Sequence, residues 1–240
     1  MQRLARYSLI ALFALCSAFG GARAVAAQTP INVAGFKSPT ATPTPFFVDD
    51  TFTDTDGTDL ASHTGEIGTP WTKHPSFTDS ITIQTNRAQK DANVNSSMYY
   101  ATATAASGNY TIQVTIVDVG NANRAAGGCG WVDTSADNAL CVRRQNSTTW
   151  QFAKIVGGTA TSVTMTTGSA TAAATFTVGA SHTLTVVRTA GDNFEWFLDG
   201  VSQGTATISD SQFQIIGHVA VRASNNQSGT GYGIDRISAW

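Results

Sequence analysis

Hydrophobic and polar residues alternate in short runs over most of this chain. Tyr110, Ile112, Val114 and Ile116 share one parity, and Thr111, Gln113 and Thr115 take the other. A period of two puts one set of side chains on each face of a half-buried β-strand. Comparable runs occupy 81–88, 98–103, 127–133, 139–144, 149–156 and 161–166. Further runs lie at 176–178, 183–188, 194–199, 201–207, 218–223 and 233–239. Asp56-Gly57, Gly157-Gly158, Gly191-Asp192 and Asp199-Gly200 punctuate them as turns. No run carries an apolar period of ordinary helix length. About a dozen short strands separated by turn signals predict an all-β sandwich or barrel, with no βαβ units.

The alternation is missing before residue 46. Arg3 and Arg6 form a basic start, 8–20 is an apolar run, and Ala24-Val25-Ala26-Ala27 offers small residues for cleavage. That order reads as a secretory signal peptide over 1–27. Its apolar run is too short to span a bilayer, so no membrane span is expected. Residues 28–45 are irregular and end in the Pro/Thr-rich SPTATPTP, a solvated linker. The folded domain is expected over 46–240, in a secreted protein, whether extracellular, periplasmic or retained at a cell surface.

Cleavage after Ala27 would remove Arg3, Arg6 and Arg23 and no acid, taking the net charge from −2 to −5. The remaining basic residues are scattered, with Arg143-Arg144 adjacent. Phosphate binding requires clustered Lys and Arg, so nucleic acid is a poor partner. Cys129 and Cys141 flank GWVDTSADNAL, whose centre is turn-like. A hairpin centred on Ser135 places the two cysteines opposite each other, close enough for a disulfide. Reduced, buried thiols are the alternative.

The block VDDTFTDTDGTDLASHTGEIGTPWT (48–72), the block STTWQFAKIVGGTATSV (147–163) and the segment 194–240 resemble concanavalin A-like lectin/glucanase and laminin-G-like domains. The resemblance spans essentially all of 46–240. It implies a jelly roll of two curved antiparallel sheets whose first and last strands are neighbours. Lectins, glycosidases, lyases and adhesive modules share that fold, so activity does not transfer with it.

A retaining glucanase needs two carboxyls about 5 Å apart, which the resembled family supplies as a Glu-x-Asp-x-Glu motif. Here the only glutamates are Glu66, in the loop GEIG, and Glu195, in FEWFLDG. Glu66 has no acid four residues on. Glu195 has Asp199 at that spacing, but Phe197 fills the middle position. The motif is absent, and Glu195 reads as a lone strand acid. His63, His74, His182 and His218 lack ligand spacing. A calcium site has more support. Asp235 shares its parity with Ile237 and Ala239, which puts an acid at the edge of an apolar face, where it needs a cation or donors. The resembled domains often hold structural calcium where first and last strands meet, and Asp49 or Asp50 would add oxygens.

Sugars stack on exposed aromatic faces, whereas sandwiches also bury these rings. Trp150 and Trp196 alternate with Phe152 and Phe194 and read as core. Trp131, on the parity of Cys129 and near the hairpin turn, is the indole placed for exposure. Tyr99 and Tyr100 put one ring on each face of a strand. Arg143 is a donor for hydroxyls or anionic sugars. Trp131, Arg143, Tyr99 and Tyr100 are therefore the candidate ligand residues. The expected function is non-catalytic, lectin-like binding of an extracellular glycan. A structural or adhesive module that binds protein is the alternative, and a hydrolase or lyase with an unrecognised acid pair comes third. Oligomeric state is not encoded in any pattern recognised above.

Overall fold

The computed structural model describes residues 45–90, 95–120, 124–225 and 231–240. The expected signal peptide, nearly all of the linker, and residues 226–229 of the Asn- and Ser-rich loop lie outside the described residues. In chain order the strands begin with β1 (Val48–Asp50), β2 (Trp71–Lys73), β3 (Ile81–Ile83), β4 (Ala88–Lys90), β5 (Ser97–Thr104) and β6 (Thr111–Asp118). Next come β7 (Arg124–Asp133), β8 (Asn138–Asn146), β9 (Thr149–Val156), β10 (Thr159–Ser162) and β11 (Thr171–Ala173). The last are β12 (Ser181–Arg188), β13 (Asn193–Leu198), β14 (Val201–Thr207), β15 (His218–Asn225) and β16 (Tyr232–Ala239). The only helical segments among the described residues are single 3-10 turns at Leu60–Ser62 and Ser211–Phe213.

All the strand pairs are antiparallel and build two sheets. The first runs β14-β13-β12-β6-β16-β4-β3, with β1 also on β16; the second runs β10-β9-β8-β7-β15-β5-β2, with β11 also on β9. Val48 faces Ala239, so the first and last strands are neighbours. The inward parity of β6 meets that of β8 and β9: Ile112, Val114, Ile116, Leu140, Val142, Trp150 and Phe152 belong to one buried cluster. Two glycines let the sheets close here. A Cβ on Gly128 would stand 2.9 Å from Val114 Cβ, and one on Gly130 would stand 3.1 Å from the Tyr110 hydroxyl.

Three strand expectations change. The run over 81–88 is two strands, because Thr85 and Asn86 both take φ of 53° and Gln84 N bonds Arg87 O at 2.8 Å. Two central residues with positive φ make a tight hairpin turn. The strand expected at 176–178 is unpaired chain, with Phe176 packed edge-on against Tyr232. The run at 161–166 shortens to β10.

Two β-bulges reverse the expected side-chain directions, since one extra residue shifts the parity of everything beyond it. In β7 the pairing with β8 slips between Gly130 and Asp133, and Trp131 has φ of 52°. Trp131 consequently leaves the face of Cys129 and enters the core. In β16 the pairing with β6 slips between Ile234 and Arg236. Ile234 and Ile237 both turn inward, and Asp235 turns out beside Arg236.

Candidate functional site on the outer face of the second sheet

Strand pairing aligns two rows of residues across the outer face of the second sheet. The first row runs Gln151, Arg143, Gly127, Arg222, Met98 over β9, β8, β7, β15 and β5. The second runs Ala153, Cys141, Cys129, Ala220, Tyr100 over the same strands. Residues directly opposite on antiparallel strands project to the same side. Cys129 and Cys141 face each other as the hairpin centred on Ser135 requires, and they are disulfide-bonded with Cα atoms 4.0 Å apart.

Cys141, Cys129 and Ala220 of the second row belong to a small apolar cluster with Met98, Val132, Ala139 and Ile155, against which Phe77, Tyr100 and Ala160 pack. The β7–β8 hairpin tip folds over part of it. His74 Nε2 donates to the carbonyls of Asp133 and Ala136 at 2.9 and 3.2 Å. Asp137 clamps Arg222 through both carboxylate oxygens, and the Arg222 guanidinium lies 4.9 Å from the Phe77 ring centre. The Arg222 Nε is buried without an acceptor among the described residues.

Arg143 is held differently. Its Nε and Nη2 donate to Gln151 Oε1 at 2.9 and 2.7 Å, and Gln151 Nε2 donates to Ser162 Oγ at 2.8 Å. Burial, with the nearby positive charge of Arg222, pushes its pKa down to about 10. Beside it, Gly127 lets β8 close in on β7. A Cβ there would stand 2.3 Å from Val142 O, so only glycine fits. Gly127, the disulfide, Arg143 and Arg222, with Ala125 and Ala126, line a shallow crease too tight to admit a water molecule.

Of the four candidate ligand residues, this face holds Arg143 and Tyr100. Tyr100 is half-buried, its ring 5.1 Å from that of His218. Trp131 and Tyr99 are corrections, both being wholly buried in the main core. Trp131 stacks on Tyr110 at 4.4 Å and donates Nε1 to Gly108 O at 2.8 Å. The Tyr99 hydroxyl donates to the Asp59 carboxylate at 3.0 Å. Sequence reading passed over Gln151, Gly127 and Arg222, because strand order alone puts them beside Arg143.

The three acids expected at a calcium site are each engaged separately. Asp49 takes a two-pronged contact from Arg236 at 2.9 and 2.8 Å and a bond from the Ser238 hydroxyl at 2.7 Å. Partial burial works against it, but those donors hold its carboxyl below the usual range. Asp50, on the opposite face of β1, is wholly buried and accepts from Trp71 Nε1 and Phe52 N at 2.6 Å each and from His63 Nε2 at 3.0 Å. Burial raises its pKa against those bonds. Asp235 pairs with Arg87 at 3.2 Å. Among the described residues no group of three or more His, Cys, Asp or Glu is arranged to hold a metal. His63 lies between Asp50 and Asp54, 3.0 Å from each, and a carboxylate on either side favours the charged ring. Burial opposes that charge, but the two carboxylates raise its pKa above the ordinary value.

The glutamates are apart and occupied. Glu66 accepts from Thr51, through its backbone N at 3.0 Å and through its hydroxyl. Glu195 lies on β13 in the other sheet and accepts from Ser202 Oγ at 2.5 Å. A cleft of about 480 Å³ lies where β1 enters and β16 ends, lined by Phe46, Phe47, Tyr110 and Trp240 with Ser107 and Asn109. Trp240 is the one indole of five that is not wholly buried.

No protein-family model matches this chain, and no curated protein does. Solved structures do. A carbohydrate binding module, CBM66 from Bacillus subtilis, aligns with TM-score 0.53 and 16% identity over 69% of this chain and 91% of that one. A Bacillus licheniformis beta-glucanase aligns with TM-score 0.50 and 11% identity over 82% and 99%. The metal-free carbohydrate recognition domain of Emp46p aligns with TM-score 0.50 and 12% identity over 77% and 95%. The fold is the antiparallel two-sheet jelly roll of the concanavalin A-like class. At these identities the likeness extends to the fold alone.

Proposed function

We propose that this domain is a secreted, non-catalytic carbohydrate-binding module, with its ligand on the outer face of the second sheet. The observation that supports the reading is the first row, where Gln151, Arg143, Gly127 and Arg222 line up across four strands. The half-buried Arg143 guanidinium, held in place by the buried Gln151, donates to hydroxyls with little ordering cost, and the half-buried Tyr100 ring adds an aromatic edge. Neither row contains an acid, and Glu66 and Glu195 are taken by separate partners. A glycosidase needs its acid pair about 5 Å apart on one face. Two proteins that share the fold carry the names carbohydrate binding module and carbohydrate recognition domain, which supports the reading; a third is named a beta-glucanase.

A glycan array tests it. Wild type is expected to give discrete signals that fall on Arg143→Ala and on Tyr100→Ala. An empty array would move the reading to a structural or adhesive module that contacts protein. Release of reducing sugar from any bound polysaccharide would overturn the non-catalytic part.

A further inference from the structure

Two arginines project from this face among the described residues, and Arg143 is the one that no acid neutralises; Arg222 has Asp137. Arg143 has the neutral Gln151, bound along the edge formed by Nε and Nη2. Its end-on edge, Nη1 with the second hydrogen of Nη2, meets no acceptor among the described residues. That edge is the one that takes a carboxylate or sulfate through two parallel bonds. The neighbouring guanidinium of Arg222, in the same row, adds to the positive field at Arg143. Gly127, between the two arginines in the row, is closed over by β8, a Cβ there standing 2.5 Å from Arg143 Cβ, so an anionic group would rest on the outer side of Arg143.

Resting on the carbohydrate-binding reading, we infer that the glycan recognised by this face is acidic. Its carboxylate or sulfate ester would sit on the free edge of Arg143, on the outer side of that residue. A neutral sugar would leave that charge uncompensated. The chain itself carries net negative charge, so adhesion of an acidic polymer to it would depend on this local arrangement and not on overall attraction.

Affinity electrophoresis at low salt, with polygalacturonate, dextran sulfate or neutral dextran cast in the gel, separates the outcomes. Retardation by polygalacturonate or dextran sulfate but not by dextran is expected, and the polymer that retards identifies carboxylate or sulfate as the recognised group. Arg143→Gln is expected to weaken it about tenfold, the loss of one charge-assisted pair. Gln151→Glu keeps the guanidinium but supplies its missing acid, and is expected to weaken retardation about as much. Wild-type retardation of both variants by the anionic polymers would overturn the inference. Retardation by dextran that is indifferent to both substitutions would overturn it while leaving carbohydrate binding intact. No retardation by any of the three polymers, together with an empty array, would overturn both.

Discussion

Arg143 and Arg144 are adjacent in the chain and meet opposite surroundings. Arg144 points between the sheets and is wholly buried, its guanidinium 4.4 Å from the Trp150 ring centre and 5.5 Å from that of Tyr232. Its Nη2 lies 3.6 Å from the equally buried Asp118, and it donates to Ser147 O at 3.2 Å. Arg143 points outward and has only an amide for a partner. One step along a strand thus separates a charge compensated inside the fold from a charge left for something outside it. Residue type alone cannot assign a role to an arginine; its face and its partners can.

The largest effect is expected inside. Arg144→Ala removes one member of a buried pair and strands Asp118, which costs about 3–5 kcal/mol. Denaturant midpoints measure it, and a loss below about 1 kcal/mol would show that Arg144 is no more structural than a surface arginine. Replacing Asp118 and Arg144 together by Leu and Met is expected to cost far less than the single change, because no lone charge remains.

Next in size is the disulfide under the outer face. Reduction is expected to lower stability by about 3 kcal/mol, the loop-closure value for a ring of this length. Equilibrium unfolding with and without reductant gives the number, and no change would show that the sheet alone fixes the register of Cys129 and Cys141.

A smaller effect belongs to the interior charge on His63. Its folded pKa is raised, so its contribution is complete below the unfolded value of about 6.5 and is lost as pH rises through the folded value. Thermal stability is expected to fall on that alkaline side, and His63→Asn should flatten the slope there. A variant with an unchanged profile would move the pH dependence elsewhere. The smallest effect is none at all: EDTA is expected to leave the melting temperature in place, because Arg236, His63 and Arg87 already compensate Asp49, Asp50 and Asp235. A clear drop would restore calcium at the junction of β1 and β16.

Undisturbed alternation made β6 legible in the sequence. The pairing of Cys129 with Cys141 was legible too, since their symmetry about Ser135 defines a register. Trp131 and Asp235 were misread for one reason. A bulge inserts a residue and reverses parity, and nothing in the local composition announces it. Asp49 and Asp50 look like a pair in the chain, yet neighbouring strand residues occupy opposite faces, so one meets Arg236 and the other Trp71 and His63. The row joining Gln151, Arg143, Gly127 and Arg222 depends on strand order. β15 lies beside β7 although about ninety residues separate them, and local alternation carries no record of that.

Backbone chemical-shift mapping during titration with an acidic oligosaccharide tests the central claim most directly. The account predicts perturbations centred on Gly127, Arg143, Gln151 and Arg222. Perturbations confined to the cleft of Phe46 and Trp240, with the second sheet silent, would contradict it.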